Sequence, residues 1–267
     1  MQRDHVRQRS RWYGTAFSPL SLFFGGANGA WYDPSDFSTM FQDAAGTTPV
    51  TATGQPVGRI LDKSGRGNHA YNPSGNSANY PVLQQDDTGR YYLLFNGVNQ
   101  WLRSIGSIDL TYGDKIFVSV GARKLSDAAA GIPFELSANA DTNNGTFQVN
   151  APSGPSAANI VWFSRGTTNR SAAANSKPAP ITFVASGVGD ISGSDATIRI
   201  NGAQVAKNAA AQGTGNYGNY PLYIGARAGS SLWLNGRLYG MVVAGKAASA
   251  SEITSTEAWL NQKTGAY

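Results

Sequence analysis

The stretch Tyr220–Lys246, YPLYIGARAGSSLWLNGRLYGMVVAGK, carries the strongest structural signals in the chain. Leu222–Ala226 has the composition of a strand, and Asn235-Gly236 separates two further apolar runs. Asn-Gly between apolar runs predicts a β-hairpin, because both residues tolerate the positive φ angles of a tight turn. The run Leu238–Val243 would be apolar on both faces of an extended chain. A strand of that kind is buried, so the sequence predicts a central strand here.

The rest of the composition is typical of an all-β protein. The 267 residues include 32 glycines and only 14% charged residues, a profile that favours many short strands joined by turns. Five Asn-Gly pairs, together with the strand-like runs between them, predict a two-sheet antiparallel sandwich. The chain contains no cysteine, and its length allows a large core without cross-links.

A helix is predicted at each end of the sandwich. Near the start, Asp33 suits an N-cap and Pro34 suits the first turn. The apolar face of this short helix would consist of Phe37, Met40 and Phe41. Near the end, Ser249–Glu252 has the form of a capping box, and Gly265 can terminate the helix that follows. The capping signals predict a C-terminal helix of about fifteen residues.

Residues 1–29 are predicted to form a basic extended arm ahead of a sandwich domain of residues 30–267. Four arginines and one aspartate give the first eleven residues a charge of +3, out of +5 for the chain. Such an arm suits an acidic protein surface or nucleic acid, and a solvated terminus is the alternative. We expect it to contact other proteins rather than nucleic acid. The anchoring residues would be Arg3, Arg7, Arg9, Arg11 and Trp12.

Neither a membrane span nor a signal peptide is predicted. No apolar run approaches the roughly 18 residues that a membrane-spanning helix needs. The apolar run Ala16–Phe24 follows basic residues, but Ser18, Pro19 and Ser21 interrupt it. The residues after it also form a poor cleavage site. We therefore expect no membrane partner.

The sequence gives little support to catalysis. Glycoside hydrolysis needs two carboxylates that face one bond, and two of the three glutamates, Glu252 and Glu257, fall in the predicted C-terminal helix. Glu135 is the third, and neither His5 nor His69 has a partner at the spacing of a metal site or a catalytic triad. We predict no catalytic residue and no metal ligand.

One loop has a sequence that allows a bound calcium ion. Asp141–Gly145 has the acidic and amide residues of a calcium loop but lacks the glutamate that closes one. A β-turn is the favoured interpretation, so we predict no cofactor and keep calcium in this loop as the alternative.

The candidate ligand-contact residues lie mainly in a glycine-rich loop, Asn216–Tyr220. Tyrosine rings can stack on sugar faces while asparagine amides bond to hydroxyl groups, which predicts a carbohydrate-binding loop. The alternative is that the tyrosines pack on the sandwich or on a neighbouring subunit. A second candidate, Trp162 with Arg165, precedes another polar loop. The full candidate set is Asn216, Tyr217, Asn219, Tyr220, Trp162 and Arg165.

Five segments resemble the laminin G-like branch of the concanavalin A-like lectin/glucanase superfamily. They are LDKSGRGNHA (Leu61–Ala70), YYLLFNGVNQWL (Tyr91–Leu102), IRINGAQV (Ile198–Val205), the pair PLYIGAR and LNGRLYGMVV within Pro221–Val243, and SASEITSTEAWLNQKTG (Ser249–Gly265). The resemblance implies an all-β fold: a two-sheet antiparallel jelly-roll sandwich with a short N-terminal helix and a C-terminal helix. The superfamily includes lectins, hydrolases and adhesion modules, so the fold alone does not fix the function. Its glucanase acids have no counterpart here, and no catalytic or metal residue is carried over.

The segments Trp31–Ser35 and Gly46–Ala70 also resemble versions of this domain in bacteriophage and prophage structural proteins. This resemblance implies a location in the virion. We therefore expect a non-enzymatic structural protein, either a decoration, fibre or appendage component, anchored to other virion proteins by its arm. It would form a homo-oligomer and display its lectin-like domain to surface glycans. The open alternatives are a free carbohydrate-binding lectin and a polysaccharide-cleaving enzyme.

Overall fold

The computed structural model describes residues 17–267, which form 19 strands, three short 3-10 helices and one α-helix. The strands are β1 (Gly29–Tyr32), β2 (Met40–Phe41), β3 (Arg59–Ile60), β4 (Ala70–Tyr71), β5 (Val82–Gln85), β6 (Tyr91–Asn96), β7 (Leu102–Ser104), β8 (Ile108–Asp109), β9 (Lys115–Lys124), β10 (Phe134–Leu136), β11 (Thr146–Asn150), β12 (Ile160–Arg165), β13 (Asn169–Ala174), β14 (Ile181–Asp190), β15 (Asp195–Ile200), β16 (Ala203–Asn208), β17 (Asn219–Tyr220), β18 (Leu222–Ile224) and β19 (Asn235–Ala244). The α-helix, α1, spans Ala250–Thr264, and the 3-10 helices span Pro19–Phe23, Phe37–Thr39 and Ser77–Asn79.

Two antiparallel sheets contain all but two of these strands. The first sheet has eight strands in the order β16-β15-β14-β9-β19-β6-β5, with β1 also paired to β19. The second has nine in the order β13-β12-β11-β10-β18-β7-β4-β3-β2, and β8 pairs separately with β17. Strands far apart in the sequence are neighbours in both sheets, which is the arrangement of a jelly roll. The predicted fold class is confirmed.

The main core lies between the two sheets. Alternate residues of β9, from Ile116 to Ala122, join Phe134, Phe147 and Trp162 of the second sheet in one buried cluster. In the first sheet, β19 pairs with β9 along one edge and with β6 and β1 along the other. Its residues from Leu238 to Ala244 are all buried. The central strand predicted from the sequence is therefore present.

The predicted hairpin turn at Asn235-Gly236 is wrong, because both residues belong to β19. Asn235 pairs with Asn96, and Gly236 pairs with Lys124 of β9. Glycine fits position 236 because a Cβ atom there would lie 2.6 Å from the backbone oxygen of Arg123. The chain instead reverses between β18 and β19 through Ala228 and Gly229, which have positive φ angles. Close backbone approach, rather than a turn, explains this Asn-Gly pair.

The C-terminal helix forms as predicted. The Ser249 side chain accepts from the backbone of Glu252, the Glu252 carboxylate accepts from the backbone of Ser249, and Gly265 ends α1 in the left-handed region. The helix packs on the outer face of the first sheet, where a Cβ atom at Gly121 or at Gly240 would lie 3.3 Å from the Leu260 side chain. Glycines on adjacent strands thus let the helix approach the sheet closely.

The predicted N-terminal helix is reduced to a single 3-10 turn, Phe37–Thr39. Met40 and Phe41 enter β2 and pair with β3 instead of continuing the helix. The predicted cap, Asp33, accepts from the backbone and hydroxyl of Ser35 and pairs with the ammonium of Lys263 at 3.0 Å. These bonds form an Asx-type turn linked to α1, and such turns compete with helix formation.

Part of the segment assigned to the arm is folded against the domain. Leu22 and Phe23 of the 3-10 helix Pro19–Phe23 are buried with Trp31 and Phe117 in a second, smaller cluster outside the first sheet. Arg3, Arg7, Arg9, Arg11 and Trp12 lie outside the described residues, so the division at residue 29 and the anchoring role stay predictions. Within residues 17–267 no helix is long and apolar enough to cross a membrane.

The side chain of Asp62 holds the loop after β3 against β1. It accepts four hydrogen bonds, from the backbone of Trp31, the backbone and hydroxyl of Ser64, and the backbone of Asn68, at 2.6 to 3.0 Å. The Asn68 amide in turn donates to the carbonyl of Gly29 at 2.7 Å. The segment Leu61–Ala70, which carries the family resemblance, thus has a structural role in fixing β1.

We expect Asp62→Ala to lower the free energy of unfolding by about 3 kcal/mol, because buried N–H groups lose their acceptor at roughly 1–3 kcal/mol each. Urea unfolding followed by circular dichroism measures this change. Asp87→Ala is the matched control, because Asp87 is an exposed turn residue and surface changes usually stay within about 0.5 kcal/mol. A loss below about 1 kcal/mol in D62A would contradict the role assigned to this carboxylate.

Candidate functional site

An open depression of about 710 Å³ lies where β19 leaves the first sheet. Three segments line it, residues 24–28, 109–113 and 245–246, together with Arg66. We call it the aromatic depression. Its volume falls in the range of small-ligand sites, roughly 300–1,000 Å³.

Two aromatic rings give the depression its name. Phe24 is 69% exposed and Tyr112 is 88% exposed, and both line the cavity. Large apolar side chains exposed beside a polar cavity are typical of contact sites. A tyrosine also presents a hydroxyl next to its apolar ring, so it suits ligands that have both apolar faces and polar edges.

Polar groups of both signs surround the rings. Asp109 accepts from the hydroxyl of Thr111 at 2.6 Å and from its backbone at 3.0 Å. The hydroxyl bond, and then the backbone bond, hold the pKa of Asp109 below its usual range, so the carboxylate is ionised at neutral pH. Arg66 bonds to the Phe23 carbonyl at 2.5 Å, and Lys246 pairs with Glu252 at 2.6 Å. The depression therefore offers donors and acceptors beside apolar rings.

The glycine-rich loop predicted to contact carbohydrate lies directly behind this depression. Strand β17 at its end pairs with β8, and the Asn216 amide donates to the Thr111 carbonyl at 2.7 Å. These bonds hold the segment 109–113 that carries Tyr112. Asn216 and Asn219 are exposed, whereas Tyr220 is partly buried against the core. The proposed roles of these three residues remain predictions.

The ring of Tyr217 does not face a ligand. Tyr217 is 1% exposed, and its hydroxyl lies 2.6 Å from the hydroxyl of Ser164 inside the core. Burial raises the pKa of Tyr217 well above its usual value. Gly189 of β14 makes room for this hydroxyl, since a Cβ atom there would clash with it. The prediction that Tyr217 stacks on a sugar is contradicted, and packing on the sandwich is its role.

Trp162 is buried for a similar reason. It is 0% exposed, its indole donates to the Val188 carbonyl at 3.1 Å, and Gly187 leaves space for the ring. The prediction that Trp162 contacts a ligand is therefore contradicted as well. Arg165 donates to the carbonyl of Asp141 at 2.8 Å, so it braces the neighbouring turn. The sequence signal for both buried rings is the Gly-x-Gly spacing of Gly187 and Gly189 in β14.

The three glutamates are all bound to basic partners. Glu135 is buried and accepts from Arg227 at 3.0 Å, and Arg227 also bonds to Asp141 at 2.6 Å. Glu257 pairs with Arg199 at 2.8 Å, and Glu252 closes the capping box. The carboxylate of Asp141, from the alternative calcium loop, thus points to a guanidinium. Over residues 17–267 no three His, Cys, Asp or Glu side chains come together as a metal site.

Comparison with known proteins agrees with the architecture. Residues 124–254 match a laminin G-type family model described as the concanavalin A-like lectin/glucanases superfamily. The match covers just under half of the chain and confirms the resemblance to the laminin G-like branch. The described domain therefore has the lectin-like jelly-roll fold of that superfamily. The resemblance to phage structural proteins stays a prediction. A search of curated proteins returned no match.

Several solved structures share the fold. The botulinum neurotoxin type G receptor binding domain superposes with a TM-score of 0.53 at 14% identity, covering 76% of this chain and 49% of that one. The binding domain of botulinum neurotoxin DC in complex with SialylT gives 0.54 at 12%, covering 75% and 48%. A botulinum neurotoxin type C structure, described as dependent on two ganglioside molecules for cell entry, gives 0.54 at 10%, covering 75% and 48%. The chain spans about half the length of these structures, and such identities show the fold alone.

We expect Tyr217→Phe to lower the free energy of unfolding by about 1–2 kcal/mol, because a buried hydrogen bond to Ser164 is lost. Ligand binding should not change, since the ring is inside the core. Guanidinium chloride unfolding measures the effect. Tyr220→Phe is the control, as its hydroxyl makes no hydrogen bond to the described residues, and it should change stability by less than about 0.5 kcal/mol. Weakened ligand binding with unchanged stability in Y217F would restore Tyr217 as a contact residue.

Proposed function

We propose that this protein is a non-enzymatic carbohydrate-binding protein and that the aromatic depression is its binding site. The observation that carries the proposal is the exposure of Phe24 and Tyr112 beside the ionised carboxylate of Asp109. Rings would stack on the apolar face of a sugar, while Asp109 and Arg66 would bond to its hydroxyl groups. This chemistry binds a sugar without breaking a bond.

The ligand class is also supported by the fold relatives. One relative was solved in complex with SialylT, and another is described as needing two ganglioside molecules for cell entry. Their identities with this chain are too low to transfer any residue, so the depression is assigned from its own chemistry. The binding of the three glutamates to arginine or to the helix cap supports a non-catalytic role.

We further propose that the protein is a displayed component of a bacteriophage virion, such as a decoration, fibre or appendage protein. The support is the resemblance of Trp31–Ser35 and Gly46–Ala70 to phage structural proteins and the cluster of arginines before the folded domain. The arm would bind other virion proteins, and the domain would contact glycans on the host surface. A homo-oligomer would add avidity to weak single sites.

We expect Tyr112→Ala to weaken glycan binding by about 3- to 10-fold, because an aromatic contact is worth roughly 0.5–1.5 kcal/mol. A glycan array should first identify the ligand, and calorimetric titration then measures its affinity. Tyr112→Phe should retain most of the affinity, since it keeps the ring. Val98→Ala removes another exposed apolar side chain, outside the depression, and should bind as the wild type does. If the wild-type protein binds no glycan, the proposed function fails.

The virion role has a separate test. Mass spectrometry of purified phage particles should detect the protein in a fixed ratio to the major capsid protein. Replacement of Arg3, Arg7, Arg9 and Arg11 by serine should reduce its incorporation, because the arm would lose its basic contacts. Absence of the wild-type protein from purified particles would remove this assignment and leave the free-lectin alternative.

A further inference from the structure

A second depression, of about 340 Å³, lies on the outer face of the first sheet beside the C-terminal end of α1. We call it the arginine depression, because Arg90, Arg123 and Arg237 line it. Arg237 lies near the start of β19, whereas Lys246 of the aromatic depression follows its end. Nine residues of extended chain span roughly 30 Å. The two depressions are therefore separate sites.

Two of the arginines are direct neighbours across the sheet. Arg123 of β9 and Arg237 of β19 are paired in register, and Thr182 of β14 pairs with Arg123 from the other side. Like charges directly opposite one another destabilise a strand pair. Arg90, from the turn before β6, adds a third guanidinium to the same cavity. The fold therefore concentrates positive charge here at an electrostatic cost.

The described residues neutralise this charge only in part. No salt bridge joins any of the three guanidinium groups to a carboxylate within residues 17–267. Asp86 and Asp87 also line the cavity, which leaves an excess of one positive charge from three arginines and two aspartates. One oxygen of Asp86 is occupied by Thr88 and by the backbone of Arg90.

The guanidinium groups of Arg123 and Arg237 are held in place, and each keeps N–H donors without a partner in residues 17–267. Arg123 donates to the Thr182 hydroxyl at 3.0 Å, and Arg237 lies 4.5 Å over the ring of Tyr92. The Nε atoms of both arginines are buried and have no hydrogen-bond partner among the described residues. Arg59, Arg103 and Arg170 also have an unpartnered Nε, so this feature by itself does not define a site. The register pair of Arg123 and Arg237 within one cavity does define one. Each of the two guanidinium groups therefore keeps N–H donors that the described residues leave unused.

We propose that the arginine depression binds an oxyanion, namely the carboxylate, sulfate or phosphate group of a ligand. Guanidinium groups match such anions with two parallel N–H bonds, which gives both strength and orientation. An oxyanion between Arg123 and Arg237 would offset their mutual repulsion and accept hydrogen bonds from the terminal N–H groups of both guanidinium groups. The competing explanation is structural: the arginines would balance the carbonyl end of the α1 dipole at Thr264 and Gly265.

The test titrates the full-length protein with inorganic phosphate, sodium sulfate and sodium glucuronate at constant ionic strength, with chloride as the reference anion. Thermal melting and calorimetry should show saturable binding of at least one of the three. Arg123→Gln and Arg237→Gln should each weaken that binding by about tenfold or more, because a charge-assisted bond is lost. In chloride alone, R123Q should melt at or above the wild-type temperature, because the like-charge contact is relieved. The anion that binds most tightly then shows whether the ligand group is a planar carboxylate or a tetrahedral sulfate or phosphate.

Two controls make the result specific to the arginine depression. Arg170→Gln changes a partly buried arginine of β13 and should bind the anion as the wild type does. Tyr112→Ala should do so as well, which separates this proposal from the glycan site. Failure of all three anions to bind the wild-type protein overturns the proposal without any variant. Anion binding retained in R123Q and R237Q, with both variants less stable in chloride, would establish the structural explanation instead.

Discussion

The carboxylate of Asp62 is the contact on which the N-terminal side of the domain depends. It joins the loop after β3 to β1, and β1 completes the edge of β19. The same loop carries Arg66, which bonds to the carbonyl of Phe23 and so fixes the segment ahead of Phe24. One buried acceptor therefore organises both a strand of the first sheet and a wall of the aromatic depression. A buried carboxylate is stable here because its four hydrogen bonds replace the water it loses.

The architecture could be predicted from the sequence wherever a local pattern had one physical meaning. The capping box at Ser249 and the two-faced apolar run of β19 are such patterns, and both formed as predicted. Glycine has several meanings, and it caused the main error in the fold. Asn201-Gly202 is a turn with positive φ at both residues, whereas Asn235-Gly236 lies inside a strand where a close backbone contact excludes a side chain. Only the tertiary neighbours distinguish these two uses.

Which aromatic residues reach the surface could not be predicted from the sequence, because exposure is a tertiary property. The loop Asn216–Tyr220 supports the depression, yet Tyr217 points into the core, where Gly189 leaves it space. Tyr112 follows no recognisable motif in the sequence, and it is 88% exposed in a turn between β8 and β9. An aromatic residue in a polar loop can fill a void or face solvent. An aromatic side chain is buried where glycines in a facing strand leave space for its ring, and it faces solvent where they do not.

The distribution of charge separates stabilising contacts from binding sites. Each glutamate is joined to a cation or a helix cap, and Asp33 and Asp62 are saturated with hydrogen bonds. These carboxylates therefore stabilise the fold through hydrogen bonds and ion pairs. Positive charge is treated differently at Arg123 and Arg237, which are placed side by side on a rigid sheet with donors unfilled. Because unpaired like charges weaken a folded state, a ligand of opposite charge is the simplest physical reason for this arrangement.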